Sequence, residues 1–101
     1  MNSPTAAQPQ LDAIAEALVY ATAYISIAVG DEDRQRDDCR TLESIADMLS
    51  RSTSVERLAL VAAAERAIVA ESAAFLNSPL VDAYRDFLET LNGLFPNDTN
   101  A

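Results

Sequence analysis

The sequence predicts an all-α protein, a single small bundle of about four antiparallel helices. Three observations favour this fold class: half of the residues are apolar with alanine the commonest among them, glycine occurs only 2 times, and apolar residues recur at helical spacing with no strand signal. Alanine has the highest intrinsic helix propensity because it loses no side-chain rotamer entropy. A chain of 101 residues suits one domain, since single domains commonly run to about 100–150 residues.

The first predicted helix runs from about Leu11 to Val29, after residues 1–10, which contain two prolines and are expected to form a flexible tail. Gly30 is expected to end this helix in the left-handed conformation, which glycine enters at little cost. The large side chains of this helix lie on two sides. A main stripe contains Leu11, Ile14, Leu18, Ile25 and Val29, and the nearly opposite side carries Tyr20, Tyr24 and Ile27.

The second predicted helix begins in the charged segment after Gly30 and ends near Ser50 to Ser52. Asp31 or Asp33 is expected to cap its start, where acids interact favourably with the helix dipole. Its inward face is predicted to hold Cys39, Leu42, Ile45, Ala46 and Leu49, and its outward face Asp33, Asp37, Arg40, Asp47 and Arg51. Cys39 is the only cysteine, and this position predicts a buried, inert thiol.

The third predicted helix starts at a capping box formed by Thr53 and Glu56 and reaches about Leu76. Its large-residue stripe contains Leu58, Val61, Ile68, Val69 and Leu76, and its back carries Ala63, Ala67, Ala70 and Ala74. These alanines would allow another helix to approach closely, although helix-forming surface explains them equally well. Glu65 and Ser72 lie in the stripe and are therefore candidate buried polar residues, unless the stripe is rotated and Glu65 sits at its edge.

The fourth predicted helix has Ser78 as cap and Pro79 at its first position, and it continues to about Leu94. It is an outer helix with one buried face, because its large apolar residues form a single stripe with acids and arginine opposite. The stripe contains Leu80, Tyr84, Phe87, Leu88, Leu91 and Leu94, and the other side contains Asp82, Arg85, Asp86 and Glu89. Residues 96–101 are expected to form a second flexible tail.

The charge and composition exclude several function classes. The formal net charge is -9, which lacks the clustered positive charge that nucleic-acid binding requires. The chain contains no histidine and all seven basic residues are arginine, so the commonest general base and metal ligand are absent. Asp31, Asp33 and Asp37 superficially resemble a calcium-binding loop, but Arg36 and Leu42 occupy the positions where that loop needs glycine and an acid. We therefore expect no cofactor, no metal and no catalytic residues.

The sequence also favours a cytoplasmic protein without a membrane span. A lone cysteine allows no intrachain disulfide, and no arginine precedes Arg34, so the charged start of a signal peptide is missing. Asp12 and Glu16 interrupt the apolar run that begins at Leu11.

Two features point to a non-catalytic protein-protein interaction module. The side of the first helix with Tyr20, Tyr24 and Ile27 is predicted to form an oligomer or partner interface. The alternative is that this helix is the central one and is contacted on both sides within one chain. The acidic residues suggest a basic protein partner that the chain binds and blocks, as inhibitor, immunity or antitoxin-like bundles do; they are Asp31, Glu32, Asp33, Asp37 and Asp47. The alternatives are a homo-oligomeric scaffolding protein, for which a dimer is expected, and a carboxylate-based ligand binder or enzyme.

Overall fold

A computed structural model describes residues 9–95 and contains four helices that pack against one another. They are α1 (Pro9–Ile27), α2 (Glu32–Leu49), α3 (Ser54–Ala74) and α4 (Pro79–Leu94). No strand occurs among the described residues, so the all-α prediction is confirmed. The two expected tails fall mainly on residues 1–8 and 96–101, which lie outside the described residues, whereas Pro9 and Gln10 were assigned to a tail and instead begin α1.

The predicted helix starts are confirmed by their hydrogen bonds. Asp31 caps α2, because its Oδ1 accepts a hydrogen bond of 2.8 Å from the Arg34 backbone N–H. At α3 the capping box is complete: the backbone N–H of Glu56 donates to Thr53 Oγ1 over 3.1 Å, and that of Thr53 donates to Glu56 Oε1 over 2.8 Å. These bonds satisfy backbone donors that a helix start otherwise leaves without partners.

The start of α4 matches its prediction, whereas the end of α1 does not. Ser78 caps α4 ahead of Pro79, as predicted, by accepting from the Leu80 backbone N–H at 3.2 Å. The expected left-handed glycine at the end of α1 is wrong: the helix ends at Ile27, and no described glycine has a positive φ. The lack of room for a side chain explains glycine at position 30 better, since a Cβ there would lie 2.7 Å from Arg34 Cγ.

The four helices form a rhombic arrangement in cross-section. α1 and α4 each contact all three other helices, whereas α2 and α3 do not contact each other. α1 and α3 run in the same direction, because Glu16 pairs with Arg66, and Leu11 and Tyr20 share grooves with Leu60 and Ala70 respectively. α1 is therefore a central helix with neighbours on two sides.

The core is built largely from small side chains on α1 and α3 and from larger ones on α4. Buried residues of α4 include Tyr84, Phe87 and Leu91, which confirms its predicted stripe. The predicted stripes of α1 and α3 are confirmed only in part. Leu11 and Leu18 of α1 and Val61 and Ile68 of α3 are partly buried against the core. The buried residues there are Ala15, Val19, Thr22 and Ala23 on α1 and Ala59, Leu60, Ala63 and Ala64 on α3.

The buried face of α1 is rotated by about one residue from its large-residue stripe, whereas the buried face of α3 lies nearly opposite its stripe, on the side of Ala63. On α1, Ile14 and Val29 of the predicted stripe are exposed, and on α3 Leu58, Val69 and Leu76 are exposed. Alanine at a helix contact allows a shorter distance between helix axes than a larger residue does. Because α1 must accommodate three neighbours, its small residues lie at the contacts and its larger residues lie at the edges and outside.

α2 is the least buried helix. Leu42, Ile45 and Ala46 are partly buried, and Leu49 is the one fully buried residue of this helix. The predicted inward position of Cys39 is wrong, because this thiol is exposed. The apolar face of α2 is narrower than the sequence pattern indicated, and Cys39 lies beyond its edge.

Candidate interaction surface

The outer side of α1 is exposed and carries no charge along most of its length. From Ala17 to Gly30 the sequence contains no acidic or basic residue. Even so, Tyr20 is 53% exposed and Tyr24, one turn later, is 54% exposed. The two tyrosine rings contact each other, with centroids 5.6 Å apart and planes tilted by 47°. A solvent-facing helix normally carries charged residues on its outer face, so this side of α1 has the character of an interface.

A groove separates this side of α1 from α3. Alanines from both helices line it, together with Tyr20, and they leave an open volume of about 560 Å³. The lining alanines are Ala13, Ala17, Ala63, Ala67 and Ala70. One ion pair joins the two helices here, between Arg66 Nη2 and Glu16 Oε1 at 3.2 Å. Both side chains are about half exposed, so water screens the pair and it adds little stability.

Tyr84 of α4 lies at the base of this groove. Burial raises the pKa of the Tyr84 phenol above its ordinary value of 10.0, and the negative charge of Glu71 and the nearby Tyr20 raise this pKa further. The phenol therefore stays neutral well into the alkaline range. It gives the groove a polar floor without adding a charge.

The exposed apolar surface continues across α3. A second, shallower depression is lined by Ala62, Glu65, Arg66, Val69 and Ala70, and it shares Arg66 and Ala70 with the groove. Val69 is 70% exposed. We call this continuous surface the α1–α3 face; it comprises Ala13, Glu16, Ala17, Tyr20 and Tyr24 of α1 and Ala62, Glu65, Arg66, Val69 and Ala70 of α3.

The structure separates the two groups of residues that the sequence analysis assigned to interfaces. Tyr20 and Tyr24 lie in the α1–α3 face, whereas Ile27 is partly buried against the core and does not project as predicted. The acidic group is exposed on α2 and its cap, and none of its members lines the groove. This group comprises Asp31, Glu32, Asp33, Asp37 and Asp47. Asp33 pairs with Arg36 at 3.2 Å and Asp47 with Arg51 at 2.9 Å.

Glu65 and Ser72 are exposed, so their prediction as buried polar residues is wrong. The alternative considered for Glu65, a rotated stripe, describes the structure, since the stripe of α3 faces solvent. Glu65 therefore needs no buried partner, and it contributes one of the few charges of the α1–α3 face.

Sequence reasoning missed the contribution of α3 to this surface. Val69 and Ala70 were assigned to opposite sides of α3, and Arg66 had no assigned role. The pattern within α3 could not reveal them, because its apolar residues surround the helix on nearly all sides. The run without charges from Ala17 to Gly30 was a readable signal for the α1 half of the surface, since solvent-facing helix residues are usually polar.

The described residues provide little for other functions. No group of three or more His, Cys, Asp and Glu side chains within residues 9–95 could hold a metal ion. Among the described helices, none has the length and apolarity to cross a bilayer. Comparison of the chain with protein-family models, curated proteins and solved structures found no match. Inferences about function therefore depend on the residues of this chain.

Proposed function

We propose that this chain is a non-catalytic protein-interaction module that pairs with a second copy of itself through the α1–α3 face. The observation that carries the proposal is the exposed, uncharged side of α1 with Tyr20 and Tyr24. Tyrosine supplies a large, rigid contact area, and such residues are enriched at the centres of interfaces. The lone cysteine, which allows no intrachain disulfide, favours a cytoplasmic setting for this pairing.

The charge distribution supports a second copy as the occupant. The whole chain carries a formal charge of -9, so most of its surface repels an identical chain. The α1–α3 face is different, because its charged residues are Glu16, Glu65 and Arg66. In a twofold-symmetric pair the two copies contact each other through the same surface patch. Arg66 of one copy can then compensate an acid of the other, and the small number of charges on the face limits repulsion between the two copies.

The shape of the face also suits self-pairing. Ala13, Ala17, Tyr20 and Tyr24 follow one another at spacings of three and four residues, the spacing that lines a seam between two packed helices. The alanines and the groove beside them form depressions, and Tyr20, Tyr24 and Val69 protrude. One copy therefore presents both projections and hollows.

A basic protein partner is the second candidate, and the exposed acids of α2 favour it. With Asp31 as cap, α2 presents more acids than arginines on a solvent-facing surface. A complex guided by these charges should weaken as ionic strength rises, because salt screens exposed charges. Pairing through the α1–α3 face should not weaken in the same way, since it buries apolar area.

The proposal predicts the solution mass of the chain and of one double variant. Light scattering on a sizing column at low and high salt should give a dimer at both, and the double variant Tyr20→Ser, Tyr24→Ser should be monomeric with unchanged helix content. Leu76→Ser, which removes an exposed apolar residue outside the face, is the matched control and should stay dimeric. A double variant that remains dimeric would refute the assigned face, and a native chain that is monomeric throughout would refute self-pairing.

A further inference from the structure

α2 is attached to the rest of the bundle more weakly than the other helices. It contacts α1 and α4 but not α3, and Leu49 is its one fully buried residue. Polar contacts link the other helices: Arg66 of α3 pairs with Glu16 of α1, and the Ser78 hydroxyl at the start of α4 donates to Glu71 of α3. The side-chain hydrogen bonds of Arg34, Gln35, Arg36, Thr41, Ser50 and Arg51, in contrast, stay within α2 and its flanking turns.

The contact surface beneath α2 is also imperfectly filled. A cavity of about 200 Å³, partly open to solvent, lies between α1, α2 and α4, with Leu42, Ile45 and Ala46 on one side and Ala83 and Phe87 on the other. The gap means that α2 makes fewer dispersion contacts than an equally long helix in a filled core.

Two buried polar atoms of the described chain have no hydrogen-bond partner, and both belong to this region. They are Thr22 Oγ1 and Asp38 Oδ2. Thr22 lies on α1 and lines the cavity. Asp38 precedes Leu42, Ile45 and Leu49 at helical spacing, on the inward side of α2. Burying a polar atom without a partner is unfavourable, and exposing both atoms to water removes that cost.

α2 is at the same time well equipped to remain a helix away from the bundle. Asp31 caps its start, and Glu32 and Asp33 lie in its first turn, where acids interact favourably with the helix dipole. Further support comes from pairs one turn apart, with N···O distances of 3.4 Å for Arg34–Asp38 and 2.9 Å for Arg51–Asp47.

We propose that α2 is a strap that opens as a unit from α1 and α4 while α1, α3 and α4 remain packed. Local openings of this kind occur where a segment has few buried contacts. The open state uncovers an apolar surface with Ala23, Ala83 and Phe87, which the closed state hides. This surface is separate from the α1–α3 face, so the strap does not depend on the proposed self-pairing.

Thiol labelling tests the strap directly. In a Cys39→Ser background, Ala83→Cys places a thiol beneath α2, and Ala64→Cys places one in the core at a position that lines no described cavity. Labelling rates are divided by the rates of the urea-unfolded chains and corrected for the measured stability of each variant. We expect the thiol at position 83 to label about tenfold faster or more, because only α2 must move. Equal corrected rates would overturn the proposal.

A further substitution in these variants separates local opening of α2 from global unfolding. Ile68→Ala on α3 removes core contacts at a position outside the cavity beneath α2. It should accelerate labelling at position 64, because that labelling requires the core to unfold. It should leave labelling at position 83 unchanged, because the substitution destabilises the state with α2 open and the state with α2 closed by the same amount. If both rates rise by the same factor, α2 unfolds only with the whole bundle and the proposal fails.

Discussion

At the scale of single residues, small side chains decide how closely the helices approach. Ala63 and Ala64 are buried on α3 where they meet the rest of the core, and Val19 of α1 is only 1% exposed. Larger residues in the same two helices remain at the edges of the core or outside it. The helix caps follow local rules, and Thr53, Ser78 and Asp31 act as the sequence indicates.

Tyr84 gives a prediction for alkaline pH. Its phenol pKa is raised in the folded chain, first by burial and then by Glu71 and Tyr20. The folded state therefore holds this proton more tightly than the unfolded state, and the resulting stability is complete below the ordinary pKa of 10.0 and is lost as the pH rises above it. We expect urea unfolding of Tyr84→Phe to lose less stability above this pH than the native chain loses.

The control for this measurement is Leu76→Ser, which changes an exposed residue outside the α1–α3 face and leaves every phenol in place. It should follow the native chain across the same pH range. If Tyr84→Phe also follows the native chain, the burial of the Tyr84 phenol has no consequence for stability.

At the scale of whole helices, amphipathic pattern predicts orientation only where the pattern has a single stripe. α4 has one stripe, and its large residues are buried as predicted. α1 and α3 are apolar on several sides, so the pattern allows more than one rotation, and the structure adopts the rotation that places small residues at the contacts. α2 has a clear apolar side, but most of the residues on that side are only partly buried.

The rotation of α3 predicts that replacing alanine with leucine lowers stability at a buried position and leaves it nearly unchanged at an exposed one. Ala64→Leu should lower the free energy of unfolding by about 1–3 kcal/mol, because added methyl groups at a fully buried position force neighbours apart. Ala73→Leu, at an exposed position of the same helix, should change it by less than about 0.5 kcal/mol. Urea unfolding measures both. Equal effects at the two positions would contradict the assigned rotation.

At the scale of the whole molecule, the rhombic arrangement places α1 between three helices and still leaves one side of it in solvent. α1 is therefore central in the bundle, and Tyr20 and Tyr24 are nevertheless exposed, while the interface assigned to them stays a prediction. The acidic surface of α2 and the nearly neutral α1–α3 face give the molecule two different sides. An acidic chain that self-associates must use a surface of the second kind, since like charges repel.

Adding one charge to the proposed interface should therefore prevent pairing. Ala17→Glu introduces an acid into the centre of the exposed side of α1 while keeping a good helix former. We expect this variant to be monomeric by light scattering, with the helix content of the native chain. Ser44→Glu adds the same charge on an exposed position of α2 and should leave the mass unchanged. A dimeric Ala17→Glu variant would place the interface elsewhere.

The sequence by itself determined the number of helices, most of their ends and the orientation of α4, because caps, prolines and a single apolar stripe act over a few neighbouring residues. It also indicated Tyr20 and Tyr24 as exposed. Only the tertiary structure decided the rotation of α1 and α3, the exposure of Cys39, Glu65 and Ser72, and the contribution of Val69 and Arg66 to the candidate surface. These depend on how closely helices distant in sequence approach, and that distance is set by the small side chains of both partners together.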